Sequence, residues 1–122
     1  MTGALAAKPL EPPPDPYGRP PARSATITGP AGPFSIQPGT LVRVGRDAAQ
    51  CLVVLTEPRV SGVHSTLKFD QAQLWVRDEQ SNNGTFVGGE RIPAGQWTLV
   101  PEGRALRFGP VEFAVRLEAG PG

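Results

Sequence analysis

Three side chains in this 122-residue sequence, Arg46, Ser61 and Asn83, have the chemistry to hold a small, multiply charged anion carried on an extended chain. A guanidinium presents a rigid planar fork of donors that meets anionic oxygens in pairs. A serine hydroxyl adds a donor from a second place in the chain, and a carboxamide supplies both the donor and the acceptor that a peptide main chain requires. All three lie in turn-rich stretches: Gly45-Arg46, Ser61-Gly62-Val63-His64 and Asn82-Asn83-Gly84-Thr85, followed by Gly88-Gly89. Glycine there lets a loop turn sharply and lets a ligand backbone come close.

Taken singly, each of these residues has an ordinary account. Arg46 could be a solvated loop arginine, Ser61 could bond its own loop, and Asn82 and Asn83 could simply form a turn. His64 is better read as a hydrogen-bonded scaffold residue, because no Cys, Asp or Glu stands at ligand spacing from it. Catalysis has little to work with. Ser61 and His64 lie three apart without a third group to orient them, and Asp70, Asp78, Glu79 and Glu90 show no metal-ligand spacing. The sequence therefore reads as a non-enzymatic binding protein that needs neither a cofactor nor a metal.

The elements that must carry these loops are short. Candidate strands are Ala25–Thr28, Leu41–Val44, Cys51–Leu55, Val63–Phe69, Leu74–Arg77, Thr85–Val87, Gln96–Val100, Ala105–Phe108 and Val111–Leu117. In the last, Val111, Phe113, Val115 and Leu117 alternate with Glu112, Ala114 and Arg116, and Val63, Ser65, Leu67 and Phe69 alternate with His64, Thr66 and Lys68. Period-two alternation marks half-buried strands. Gly88-Gly89 suits a tight hairpin and Gly109-Pro110 separates two apolar runs. No window carries a helical apolar period, so an all-β sandwich or barrel follows. Trp75 and Trp97 sit in apolar runs, as packing residues would.

Composition divides the chain. Gly 15 and Pro 15 exceed ordinary usage, and seven of the prolines lie at or before Pro21. Residues 1–23 are expected to be a disordered Pro-rich tail, 24–118 a single domain and 119–122 a short C-terminal tail. A net charge of +1 argues against nucleic acid as a partner, so anion recognition must come from placed residues. Cys51 is the only cysteine and reads as a small buried core residue. Without an apolar run of membrane length or a signal-peptide pattern at Met1–Leu10, a cytoplasmic location without membrane insertion is expected.

In order and spacing, Gly45-Arg46, Ser61-x-x-His64, Asn83-Gly84-Thr85 and the Gly88-Gly89 turn resemble the forkhead-associated (FHA) domain family. The resemblance covers about residues 40–117, and it is the ordered set that is specific. It implies a β-sandwich of about eleven strands that reads phosphothreonine peptides through loops at one end, in Ser/Thr-kinase signalling. The partner would be a phosphothreonine-containing protein that is a kinase or a kinase substrate. By matched position, Arg46 and Ser61 would contact phosphate, and Asn83 would hydrogen-bond the peptide main chain. His64 would brace the loops, with Gly45, Gly84 and Thr85 as framework. Arg59, two residues before Ser61, is a candidate for reading an acidic residue beyond the phosphothreonine. Asn82 and Gly62 are further candidate contacts.

The sequence departs from the family at Gly62, where Arg or Asn is common, which removes one side-chain contact. It also lacks the asparagine often found at Gly88-Gly89, and its N-terminal tail has no Thr-Thr pair. The alternative is an interaction domain of the same fold that binds an unphosphorylated partner.

Overall fold

Alternation sets which side each strand buries. Phe113 and Val115 are buried while Glu112, Ala114 and Arg116 are exposed, as the period-two pattern predicts. The computed structural model describes residues 21–119. The strands are β1 (Ser24–Gly29), β2 (Gly32–Ile36), β3 (Val42–Gly45), β4 (Val53–Val54), β5 (Ser65–Asp70), β6 (Gln73–Asp78), β7 (Thr85–Val87), β8 (Glu90–Arg91), β9 (Thr98–Val100), β10 (Leu106–Phe108) and β11 (Val111–Glu118). One sheet has the order β2-β1-β11-β10-β7-β8 and the other β4-β3-β5-β6-β9. The all-β sandwich of about eleven strands is thus the observed fold. No helix among the described residues is long and apolar enough to cross a membrane. The tails expected at 1–23 and 119–122 lie outside the described residues, apart from residues 21–23 and 119.

Between the sheets, Ile27, Leu106, Phe108 and Phe113 from one side meet Val42, Val44, Leu67, Leu74 and Val76 from the other. Phe108 stands edge-on to Phe113 with ring centroids 5.7 Å apart, an arrangement that aromatic quadrupoles favour.

Two strands were not expected from sequence, and several ends shift. β2 contains Gly32 and Pro33, which blur a strand pattern but are tolerated on an edge. Both residues of β8 are exposed, so it shows no alternation. Only Val53–Val54 of the expected Cys51–Leu55 is strand. Cys51 N–H instead donates to the Asp47 carbonyl at 3.0 Å. β5 begins at Ser65 rather than Val63, and β9 at Thr98 rather than Gln96. The tight turn expected at Gly88-Gly89 is present and joins β7 to β8, with Gly88 at φ 58° and Gly89 at φ 87°.

Register brings the loops that carry Arg46, Ser61 and Asn83 to one end. Val44 at the end of β3 pairs with Ser65 at the start of β5, which pairs with Asp78 at the end of β6. In the other sheet Thr85, the first residue of β7, pairs with Phe108, the last of β10. The loops leaving β3, entering β5, joining β6 to β7 and joining β10 to β11 therefore crowd the same edge of the sandwich.

Candidate functional site

Backbone bonds fasten these loops to one another. Arg46 N–H donates to the Ser61 carbonyl at 3.0 Å, and Asp47 N–H to the Gly62 carbonyl at 3.0 Å. Gly45 makes that approach possible. A Cβ on it would lie 2.2 Å from the Gly62 carbonyl oxygen, so no other residue fits. The Cys51 thiol donates to the same carbonyl at 3.3 Å, and Cys51 is buried as expected. The Asp47 carboxylate accepts from Gln50 Nε2 at 2.6 Å and Ala49 N–H at 2.9 Å, which holds it below the usual carboxylate range and stiffens the turn after Arg46. Arg46 itself is exposed, and its guanidinium has no carboxylate partner among the described residues.

Ser61 is held at three atoms. Its N–H donates to His64 Nδ1 at 3.1 Å, its carbonyl accepts from Arg46, and its Oγ accepts from Asn82 N–H at 3.1 Å. An oxygen already accepting from one side keeps its hydroxyl proton to donate elsewhere. Asn83 Nδ2 donates to the Arg59 carbonyl at 2.7 Å, so its amide oxygen remains to accept from a ligand N–H. The Arg59 side chain, 67% exposed, bonds Glu57 at 2.8 Å, which lowers the pull of that arginine on an incoming acid. Arg46, Ser61, Asn82, Asn83 and Arg59 thus belong to one bonded loop cluster.

His64 braces this cluster from below. It is fully buried, accepting at Nδ1 and donating from Nε2 to the Gly84 carbonyl at 2.8 Å, with its ring edge-on to Phe108 at 6.0 Å. Burial pushes its pKa below the ordinary histidine value, outweighing the Gly84 bond and the Asp78 charge that pull it up. The folded state therefore binds that proton more weakly than the unfolded chain does. The stabilisation is complete above about pH 6.5 and is lost as pH falls from there toward the folded-state pKa. With a single histidine in the chain, unfolding free energy should decline as pH falls below about 6.5, with a His64 contribution to the slope that stays under about 1.4 kcal/mol per pH unit. Denaturant titration across pH checks this, and His64→Ala should flatten that slope.

A buried polar network, which sequence reasoning missed, shapes the loop carrying Asn83. Asp78 Oδ1 accepts from Ser81 Oγ and from Thr85 Oγ1, both at 2.6 Å, and Oδ2 accepts from Ser81 N–H at 3.1 Å. Ser81 Oγ in turn accepts from Gly84 N–H at 2.9 Å, and Ser65 and Thr85 hydroxyls lie 2.6 Å apart. Burial alone would raise the Asp78 carboxyl, but the bonds from Ser81 and Thr85 prevail and hold it below its ordinary value. The available signal was Asp78 three residues before Ser81, next to Asn83-Gly84-Thr85. Asp78→Asn would set an amide beside these donors. It should cost about 1–2 kcal/mol of unfolding free energy, read by chemical denaturation.

The FHA domain family model matches residues 42–109, a span that contains every loop of the cluster. Among solved structures, the chain is similar to the MEK1 FHA domain in complex with a HOP1 phosphothreonine peptide, at 25% identity and TM-score 0.68, covering 81% of this chain and 98% of that one. It is similar to the FhaA FHA domain complexed with the intracellular domain of Rv3910, at 25% identity and TM-score 0.66, over 76% and 100% of the two chains. An Arabidopsis thaliana FHA domain matches its fold at TM-score 0.74 and 20% identity, over 84% and 92%.

Proposed function

The chain belongs to the FHA domain family, and from that membership we propose that it is a phosphothreonine-peptide-binding adaptor module without catalytic activity. The carrying observation is the fastening of Arg46, Ser61 and Asn83 into one cluster by bonds that leave their outward groups available. The Arg46 fork and the Ser61 hydroxyl proton meet a phosphate of about −1.5 to −2 charge. The Asn83 amide oxygen takes a main-chain N–H of the peptide, and Asn82 lies at the rim. His64, Gly45, Gly84 and Thr85 position these groups without touching the ligand. The solved relatives bound to a phosphothreonine peptide and to a protein domain support a phosphothreonine-containing protein as the partner, one that is a substrate of a Ser/Thr kinase or itself such a kinase.

Charge-assisted hydrogen bonds contribute roughly 1.5–3 kcal/mol each. Two or three of them, with main-chain contacts and less the cost of ordering, give micromolar binding at about −8 kcal/mol. The Gly62 position limits this. Its carbonyl is used twice, yet a Cβ there would meet only the Asp47 Cβ at 3.9 Å. Gly62→Arg is therefore sterically free, and it should tighten phosphopeptide binding by roughly tenfold, the worth of one added charged contact.

Isothermal titration with a degenerate phosphothreonine peptide pool tests the proposal. Binding should vanish when the same pool is dephosphorylated. Unchanged binding would instead favour the reading in which the fold grips an unphosphorylated partner.

A further inference from the structure

A groove of about 490 Å³ crosses the outer face of the five-stranded sheet, beside the loop cluster and outside it. Its floor is a cross-strand row. Leu52 N–H donates to the Arg43 carbonyl, Arg43 pairs with Thr66, and Thr66 pairs with Arg77. Val44, Ser65 and Asp78 in the next row are buried toward the opposite sheet, so by alternation this row lies on the outer face, where Arg43 is exposed and Thr66 is covered beneath Glu79. Single exposed leucines are unremarkable on a protein surface. Here Leu41 at 62% and Leu52 at 68% exposure line the same groove, joined by half-buried Val63.

The charges along the groove are uneven. Glu79 is already engaged, accepting from Thr66 Oγ1 at 2.6 Å and Arg77 Nε at 2.9 Å. Arg43 has no carboxylate partner among the described residues. The groove thus joins an apolar wall to an unmatched cation, a surface complementary to a segment with one apolar and one acidic side chain. It is also continuous with the loop cluster. Gln50, on its lining, bonds the Asp47 carboxylate next to Arg46, and Val63 follows Ser61 by two residues.

We propose that this groove takes a second stretch of the same phosphorylated partner, seating a leucine-sized side chain against Leu41 and Leu52 and a carboxylate on Arg43. The inference rests on the phosphothreonine reading and deepens it. The loops would recognise the modification, and the sheet face would select which modified protein is held. Because the contact is made to a sheet face and not an edge, side chains and not a hydrogen-bonded ladder carry the choice.

The test compares two degenerate phosphothreonine pools by titration, a short one ending just beyond the phosphothreonine and a long one extended on both sides. Wild-type protein should hold the best members of the long pool roughly tenfold more tightly, with acidic and large apolar residues enriched at fixed offsets. Arg43→Glu together with Leu52→Asp should abolish that gain and leave the short pool's affinity and the unfolding curve unchanged. Equal binding of both pools, or a gain that survives the double change, overturns the groove while leaving the phosphate reading intact. No phosphate-dependent binding of the short pool overturns that reading and, with it, the groove assignment. If free wild-type protein sediments as a dimer and the double variant as a monomer, the groove is a self-association face and the proposal fails.

Discussion

Arg46→Ala is expected to weaken phosphothreonine-peptide binding by about 2–5 kcal/mol, the usual loss when one member of a buried charge pair is removed. Folding should scarcely change. The Arg46 side chain is exposed and makes no ion pair among the described residues, while its structural contribution, the N–H bond to Ser61, belongs to the backbone and survives in alanine. This separation makes the variant informative, since lost affinity cannot be blamed on a collapsed loop. Arg46→Lys should fall between the two, keeping the charge but losing the paired donor geometry. Titration with the phosphothreonine pool, alongside thermal unfolding, measures both halves. Full affinity with intact phosphate dependence in Arg46→Ala would remove this residue from the site.

Gly45→Ala should behave in the opposite way, damaging stability and binding together. The added methyl would sit 2.2 Å from the Gly62 carbonyl oxygen and 2.8 Å from its carbon, and backbone cannot swing aside as a flexible side chain can. Relief requires parting the Arg46 loop from the Ser61–Gly62 loop, which breaks the bonds from Arg46 and Asp47 N–H and from the Cys51 thiol. Overpacking commonly costs about 1–3 kcal/mol, and with those bonds lost as well about 3 kcal/mol or more is expected. The same parting moves the guanidinium away from the Ser61 hydroxyl, so affinity should fall at least tenfold in whatever fraction stays folded. Denaturant unfolding and titration on one preparation would check both. A variant of native stability would contradict the close approach.

Much of this was legible in the residues themselves. Alternation in β11, the Gly88-Gly89 turn and the spacing of Arg46, Ser61 and Asn83 are all local or ordered signals. The alternation expected over Val63–Phe69, in contrast, fails at its start, where His64 is fully buried and Val63 half-buried, and at Thr66, which is buried beneath Glu79. β8 was not legible because its two exposed residues carry no burial pattern, and β2 because glycine and proline weaken the pattern on an edge strand. The supporting groups of the site were hidden for a different reason. Ser65 with Thr85, Asp78 with Thr85 and the Cys51 thiol with the Gly62 carbonyl meet across 7 to 20 positions of sequence, and only the Asp78–Ser81 bonds, three positions apart, are local. The outward face of Leu52 was equally invisible. Cys51–Leu55 is apolar throughout and so shows no alternation to read, although Cys51, Val53 and Leu55 are buried and Leu52 is exposed.

The most direct test of the central claim is a nitrogen–proton NMR titration with one phosphothreonine peptide and its dephosphorylated twin. The backbone amides of Arg46, Ser61, Gly62, Asn82 and Asn83 should shift together on adding the phosphorylated peptide and stay still with the twin. Shifts that spare these five amides, or that are the same for both peptides, would contradict the account.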